Sequence, residues 1–516
     1  MDKKAAFTTL INDGYACKGD SIILGSAMLE GEVVTGAQVK IALKTMNRHG
    51  LIAGATGTGK TKTLQVLAEQ LSQKGVPVLL MDVKGDLSGI AMPGEEKPFI
   101  TERQAKIGLP YTPKKFPAEL LSLSKQEGVR LRATISEFGP VLLARILDLN
   151  DIQESVLAII FKYCDDKQMG LLDIKDLKKV LQYITAEGKE EIQKDYGTIS
   201  PASTGIILRK VMELEQQGAD LFFGELSFDI HDLMRRDKNG YGYINIIRLN
   251  DIQDKPKLFS TFMLSLLAEV YSQMPEKGDA EKPELVIFID EAHLIFNEAS
   301  KALLDEIETI VKLIRSKGIG VFFVTQNPID VPDGVLAQLG LKVQHALRAF
   351  TAADRKAIKL SAENYPSSEY YKTDETITSL GIGEALVTAL SEKGVPTPLA
   401  AAMMRTPEGR MDILTPDEIA SINGSSELVK KYSEEIDRES AYEILSKKVE
   451  EVNQEKAEEA QRKEWEKSGG GSYGRTTPTY APRRTSTARI PVSPVVKVLT
   501  SATFIRGVMG ILKKVM

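Results

Sequence analysis

The chain has 516 residues, 42% hydrophobic and 27% charged, so a globular protein with a sizeable core is expected, long enough for two to four domains. The formal net charge of −5 gives no global sign of nucleic-acid binding, which leaves only a local basic surface for that role. Two distant cysteines, Cys17 and Cys164, and four scattered histidines, His49, His231, His293 and His345, argue against a disulfide framework or a Cys/His metal site.

The opening MDKKAAFTTLINDGYACKG has no apolar signal-peptide region, and no run of about 18 apolar residues occurs, so a cytoplasmic protein is expected. Residues 1–47 are expected to be a short N-terminal β segment, from the stretches SIILGSAML and VKIALKTM. An apolar run at 51–53 enters a Gly-rich loop, then a helix with Leu64, Leu67, Ala68 and Leu71 on one face. VPVLLMD (76–82) reads as a buried parallel strand, which completes a βαβ unit. Residues 91–240 read as a helical insertion, through PAELLSLSK, VLLARILDL, IQESVLAIIFKYC, DIKDLKKVLQYI and STGIILRKVMELEQQ.

Strand character returns at YGYINIIRL (241–249), followed by a helix over 256–274 and the strand LVIFID (285–290). A helix over roughly 298–317 precedes the strands GVFFVTQ (320–326), LKVQHAL (341–347), EALVTAL (384–390) and PTPLAAAMM (396–404), the last two forming a hairpin. The core is therefore placed at 48–90 and 241–410. Residues 411–467 read as a charged helix, 468–489 as a disordered linker, and 490–516 as a basic amphipathic tail helix.

GATGTGKT, from Gly54 to Thr61, matches G-x-x-x-x-G-K-[ST] between a strand and a helix. Such a loop curls backbone N–H groups around phosphate oxygens, with the helix N-terminus aimed at the same anion. The nucleotide-binding set is thus Gly54, Ala55, Thr56, Gly57, Thr58, Gly59, Lys60, Thr61 and Lys62, for ATP with Mg²⁺. Lys60 would reach the β- and γ-phosphates and the Thr61 hydroxyl would ligate Mg²⁺. Asp290, closing an apolar strand, is the Walker B candidate for the metal, and Glu291 the candidate base. Gln326 closes the next strand as a candidate γ-phosphate sensor. Arg348 and Arg315 are alternatives for an arginine donated to a neighbouring subunit, and either could equally be a surface arginine. The roles of Asp82, Lys84 and Asp86 in DVKGDLSG stay open between a plain loop and a place near the nucleotide.

Two strings carry no function. DDKQMGLLDIKD (165–176) has an EF-hand glycine but Lys167 and Met169 where oxygen ligands belong, and SAT (501–503) lies in the basic tail. The acidic pair Asp290–Glu291 disfavours a kinase, in which a hydrolytic base would be wasteful.

The set GATGTGKT, DVKGDLSG, VIFIDEAHLIF, IRSKGIGVFFVTQNP and VQHALRAFTAADRKAIK resembles the HerA-like ATPases, over about residues 40–405. Its closer likeness is to the YjgR-type bacterial subgroup. The resemblance implies an α/β fold: a RecA-like P-loop NTPase core with a mostly parallel sheet, a large helical insertion and a helical and disordered C-terminal tail. It also implies ATP hydrolysis by a homo-oligomeric ring, typically a hexamer, that moves DNA. The letters DEAH belong to this pattern rather than to helicases named for them, since Lys60 and Asp290 stand 230 positions apart and the following strand ends in VTQN. The alternative expectation is an ATP-gated assembly or scaffold protein whose basic tail meets a protein partner or an anionic membrane surface.

Overall fold

A computed structural model describes residues 2–467, apart from 279, 297–300, 435 and 437. The chain divides into two compact units, Met1–Ala441 and Tyr442–Met516. The described part of the second unit is the Glu- and Lys-rich helical run that ends the helix Ala441–Lys467. No helix among the described residues is long and apolar enough to cross a membrane.

The first unit is built on a twelve-stranded sheet. In chain order its strands are β1 (Ser21–Leu29), β2 (Glu32–Ala42), β3 (Gly50–Ala53), β4 (Val78–Asp82), β5 (Ala118–Ser122), β6 (Val129–Arg130), β7 (Ile244–Arg248), β8 (Leu285–Ile289), β9 (Ile319–Thr325), β10 (Leu341–His345), β11 (Glu384–Ala389) and β12 (Ala400–Met404). Their order across the sheet is β2-β1-β12-β11-β10-β3-β9-β8-β4-β7-β5-β6. From β10 to β6 all neighbours are parallel, and the other four strands are antiparallel. The central strands β3, β4, β8 and β9 are buried along their whole length, as continuously apolar strands covered on both faces must be. Parallel register brings Ala53 beside Thr325, and Met81 beside Ile289. The carboxyl ends of β3, β9, β8 and β4 therefore share one edge, where loops between parallel strands and helices place ligand sites.

The structure corrects three sequence expectations. PAELLSLSK is strand, not helix: β5 pairs with β7 through Leu120 and Ile246, and β6 extends the sheet beyond it. A short apolar run is ambiguous by periodicity, and here the free edge of β7 decided. The rest of the insertion is helical, at Ile135–Ile146, Asp151–Asp166, Ile174–Tyr183, Lys189–Tyr196 and Pro201–Gln216. Phe222 ties it to the core helix Pro256–Gln273, its ring 5.9 Å from that of Phe262.

Second, residues 1–47 are not wholly β: helix α1 (Lys3–Gly14), capped by Asp2, buries Phe7 and Ile11. Third, 411–467 is not a single helix. Thr415 and Ser426 each cap a fresh start, giving Pro416–Ser425 and Glu427–Tyr432 before the long helix. The expected linker 468–489 and tail helix 490–516 lie outside the described residues.

Candidate nucleotide site

The loop after β3 runs into helix α2 (Lys60–Gln73), which begins at the lysine of the motif. Its backbone is pinned from both neighbouring strands: Gly54 N–H donates to the Thr325 carbonyl at 3.3 Å and Ala55 N–H to that of Ala346 at 2.8 Å. Gly59 has φ +119°, and a Cβ there would sit 3.2 Å from the Gly383 backbone, so only glycine fits. Lys60 is buried, and its ammonium donates to the Gly54 carbonyl at 2.7 Å and to that of Ala55 at 3.2 Å. Burial, then the charge of Lys84, holds its pKa below the ordinary lysine value. Thr61 follows in the first turn of α2, partly exposed. Lys62 turns elsewhere, donating to the Met411 carbonyl at 2.6 Å.

Asp290 and Glu291 follow the last residue of β8, and both are buried. Burial, then the charge of Glu291, pushes Asp290 up to about 7, and its Oδ2 is buried with no hydrogen-bond partner. A buried, unpartnered carboxylate oxygen at this strand end fits a cation ligand, because a cation supplies the charge that burial withholds. Glu291 adopts φ +48°, a rare conformation for a residue with a side chain. Burial raises its pKa, but Lys84, Gln326 and His293 outweigh it, so the group stays below the usual glutamate value. Lys84 pairs with Oε1, while Oε2 is met by His293 Nδ1 at 3.1 Å and by Gln326 Nε2 at 3.4 Å.

The structure thus brings Lys60, Thr61, Asp290, Glu291 and Gln326 to one edge of the sheet. Arg348, just beyond β10, lies at that same edge, exposed, with its guanidinium donating to the Thr378 carbonyl at 3.0 Å. Arg315 does not: it opens the turn Arg315–Lys317 that precedes β9, at the amino edge of the sheet.

Two contributors, His345 and Arg103, escaped sequence reasoning, and a third, Asp82, was left open between a plain loop and a place near the nucleotide. Asp82 organises the loop after β4, accepting from the backbone N–H groups of Gly85, Asp86 and Leu87 at 2.7, 3.1 and 3.1 Å, and so presents Lys84 to Glu291. His345, fully buried, stands under the phosphate loop: its Nδ1 donates to the Glu384 carbonyl at 2.8 Å and its Nε2 accepts from Thr63 Oγ1 at 2.9 Å. Burial lowers its pKa to about 4, so the ring is neutral. Arg103 clamps the segment that closes over the loop, donating to the carbonyls of Ile382 and Gly383 at 2.8 and 3.0 Å, while Gly383 N–H donates to the Thr58 carbonyl at 2.9 Å. The one available signal was Gln344–His345, two polar residues together in a buried strand.

A family profile described as "Helicase HerA-like C-terminal" matches residues 28–515. The chain belongs to this HerA-like family. Among characterised relatives, the DNA double-strand break repair helicase HerA of Sulfolobus acidocaldarius is 21% identical over 356 residues, 68% of this chain and 64% of that protein. A probable helicase of Methanocaldococcus jannaschii, MJECL08, is 26% identical over 406 residues, covering 70% of this chain and 67% of that one. The chain thus spans a little under two thirds of the length of the HerA protein it matches. The plasmid coupling protein TrwB in complex with a non-hydrolysable ATP analogue superposes with TM-score 0.51 at 16% identity, over 78% of this chain and 94% of that one. That likeness establishes the RecA-like P-loop fold of the HerA-like core.

Proposed function

We propose that this HerA-like chain is a Mg²⁺-dependent ATP hydrolase that works as a homo-oligomeric ring and moves DNA. The observation that carries the hydrolase reading is the buried Glu291 carboxylate at the end of β8, with Gln326 on one of its oxygens and Lys60 on the neighbouring phosphate loop. Lys60 would leave the loop carbonyls for the β- and γ-phosphates. Mg²⁺, held by Thr61 and Asp290, would neutralise charge on those phosphate oxygens. Glu291 would take a proton from water as the water oxygen bonds to the γ-phosphorus and the bond to the bridging oxygen breaks, releasing ADP and phosphate. Gln326 would orient that water. Arg348 is the better placed of the two arginines to serve a nucleotide, because it stands at the phosphate edge.

Membership of the HerA-like family and likeness to a DNA double-strand break repair helicase support DNA as the strand that is moved. The net charge of −5 weakens DNA as the strand, and the basic sequence of 490–516 favours a second reading, an ATP-gated assembly protein acting on a protein partner or an anionic membrane surface. Turnover measured with and without single-stranded DNA, duplex DNA and RNA, paired with native mass, separates the two. The motor reading expects an oligomer whose turnover rises with DNA, and a flat response to every nucleic acid would reject it. Glu291→Gln should bind ATP yet turn over about 10²–10⁴-fold more slowly, and unchanged turnover would remove Glu291 from the base role.

A further inference from the structure

We propose that Lys84 is a positioning residue that links the base to the terminal phosphate: it holds Glu291 in this structure and engages the third phosphate of a bound nucleoside triphosphate, so that Glu291 is set for reaction only then. This rests on the hydrolase reading above.

Both oxygens of the Glu291 carboxylate are engaged here, Oε1 by Lys84 and Oε2 by His293 and Gln326. Each carboxylate oxygen accepts more than one donor, so a water can join Oε1 beside Lys84, and Lys84 need not leave the carboxylate to reach a phosphate. Of the three partners, Lys84 is the one suited to reach beyond the carboxylate. Its side chain is 39% exposed, it ends a flexible stem, and its ammonium carries three donors, enough to serve a carboxylate and a phosphate together. The loop that bears it is fixed by Asp82, so the stem swings from an anchored point.

The surroundings specify what it swings toward. Lys60 lies on the phosphate loop after β3 and Lys84 meets Glu291 after β8, so two ammonium groups stand at the same edge of the sheet. Two ammonium groups facing one space repel unless an anion lies between them. Lys60 reaches the β- and γ-phosphates in this motif. Lys84, sitting against the base, is on the side from which the γ-phosphorus is attacked. A diphosphate brings no charge to that point, whereas a triphosphate does.

The test uses the full chain with Lys84→Met, Lys84→Arg and Glu291→Gln, each checked for unchanged thermal unfolding. Calorimetry gives the affinities for ADP and for the slowly hydrolysed analogue ATPγS, and steady-state kinetics give kcat and KM. Lys84→Met should keep its ADP affinity, lose about 10–100-fold in affinity for the triphosphate, and fall in kcat. Lys84→Arg should recover part of both, while Glu291→Gln should lose kcat alone. A Lys84→Met protein with the native ratio of triphosphate to diphosphate affinity overturns the proposal and leaves Lys84 as a neutralising ion pair. Absence of turnover in the native protein would instead defeat the hydrolase reading, and the affinity ratio would still judge Lys84.

Discussion

His345 shows how much of the phosphate loop depends on one side chain outside its motif. The ring joins α2, through Thr63, to the start of β11, through the Glu384 carbonyl. His345→Gln should cost about 1–3 kcal/mol near pH 7.5, since at least one buried partner is left unpaired. The cost should depend on pH. Below about 6.5 the unfolded chain protonates its histidine, whereas the buried ring resists protonation down to about 4. The contribution of the neutral ring is therefore fully present above pH 6.5 and is lost as pH falls toward 4. The stability gap between native protein and variant should narrow by about 1.4 kcal/mol per pH unit across that window, as denaturant titrations at several pH values would show. A pH-independent gap would mean that His345 is not the neutral buried group described here.

At the scale of elements, α2 is held by the segment that leaves β12. Glu69, buried in the middle of α2, accepts Glu408 N–H at 2.7 Å and Gly409 N–H at 2.9 Å, while Gln65 and Lys62 donate to the Arg410 and Met411 carbonyls. Glu69→Ala strips two buried backbone donors of their acceptor and should lower stability by about 2–4 kcal/mol, measurable by thermal or denaturant unfolding. Nothing in the local sequence announced this, because the partners lie more than 300 positions apart. The same division runs through the whole reading. The phosphate loop and the Asp290–Glu291 strand end were legible because each is a short string whose chemistry follows from adjacent residues. The parallel strands β3, β4, β8 and β9 were legible because burial on both faces forces a continuous apolar run. PAELLSLSK was not, since Leu, Ala, Glu and Lys suit a helix equally and only the unpaired edge of β7 made it strand. Helix α1 and the partners His345 and Arg103 were hidden for a related reason: their meaning is set by distant backbone.

At the scale of the whole molecule, the open question is whether one chain completes its own site. Arg348 stands at the phosphate edge but rests on its own Thr378 carbonyl. If it serves a neighbouring subunit, Arg348→Ala and Glu291→Gln should each be nearly inactive alone. Mixed and reassembled, they should regain turnover, because some interfaces then join an intact arginine to an intact base. No recovery on mixing would place the arginine within its own subunit or outside the reaction.

The pairing of β1 with β12 carries a consequence for how the chain is made. Gly25 lies opposite Met404, so the strand nearest the start of the chain closes against one some 380 residues later. During synthesis the β1–β2 hairpin emerges early with its inner edge unpaired, and it stays so until β12 is released. Such an edge recruits other strands, and non-local closure is slow. Helix α1, packed beside that hairpin, shields its face but not its edge. The nascent protein is thus most exposed to misassociation between the emergence of β2 and that of β12, and chaperone dependence should concentrate in that interval.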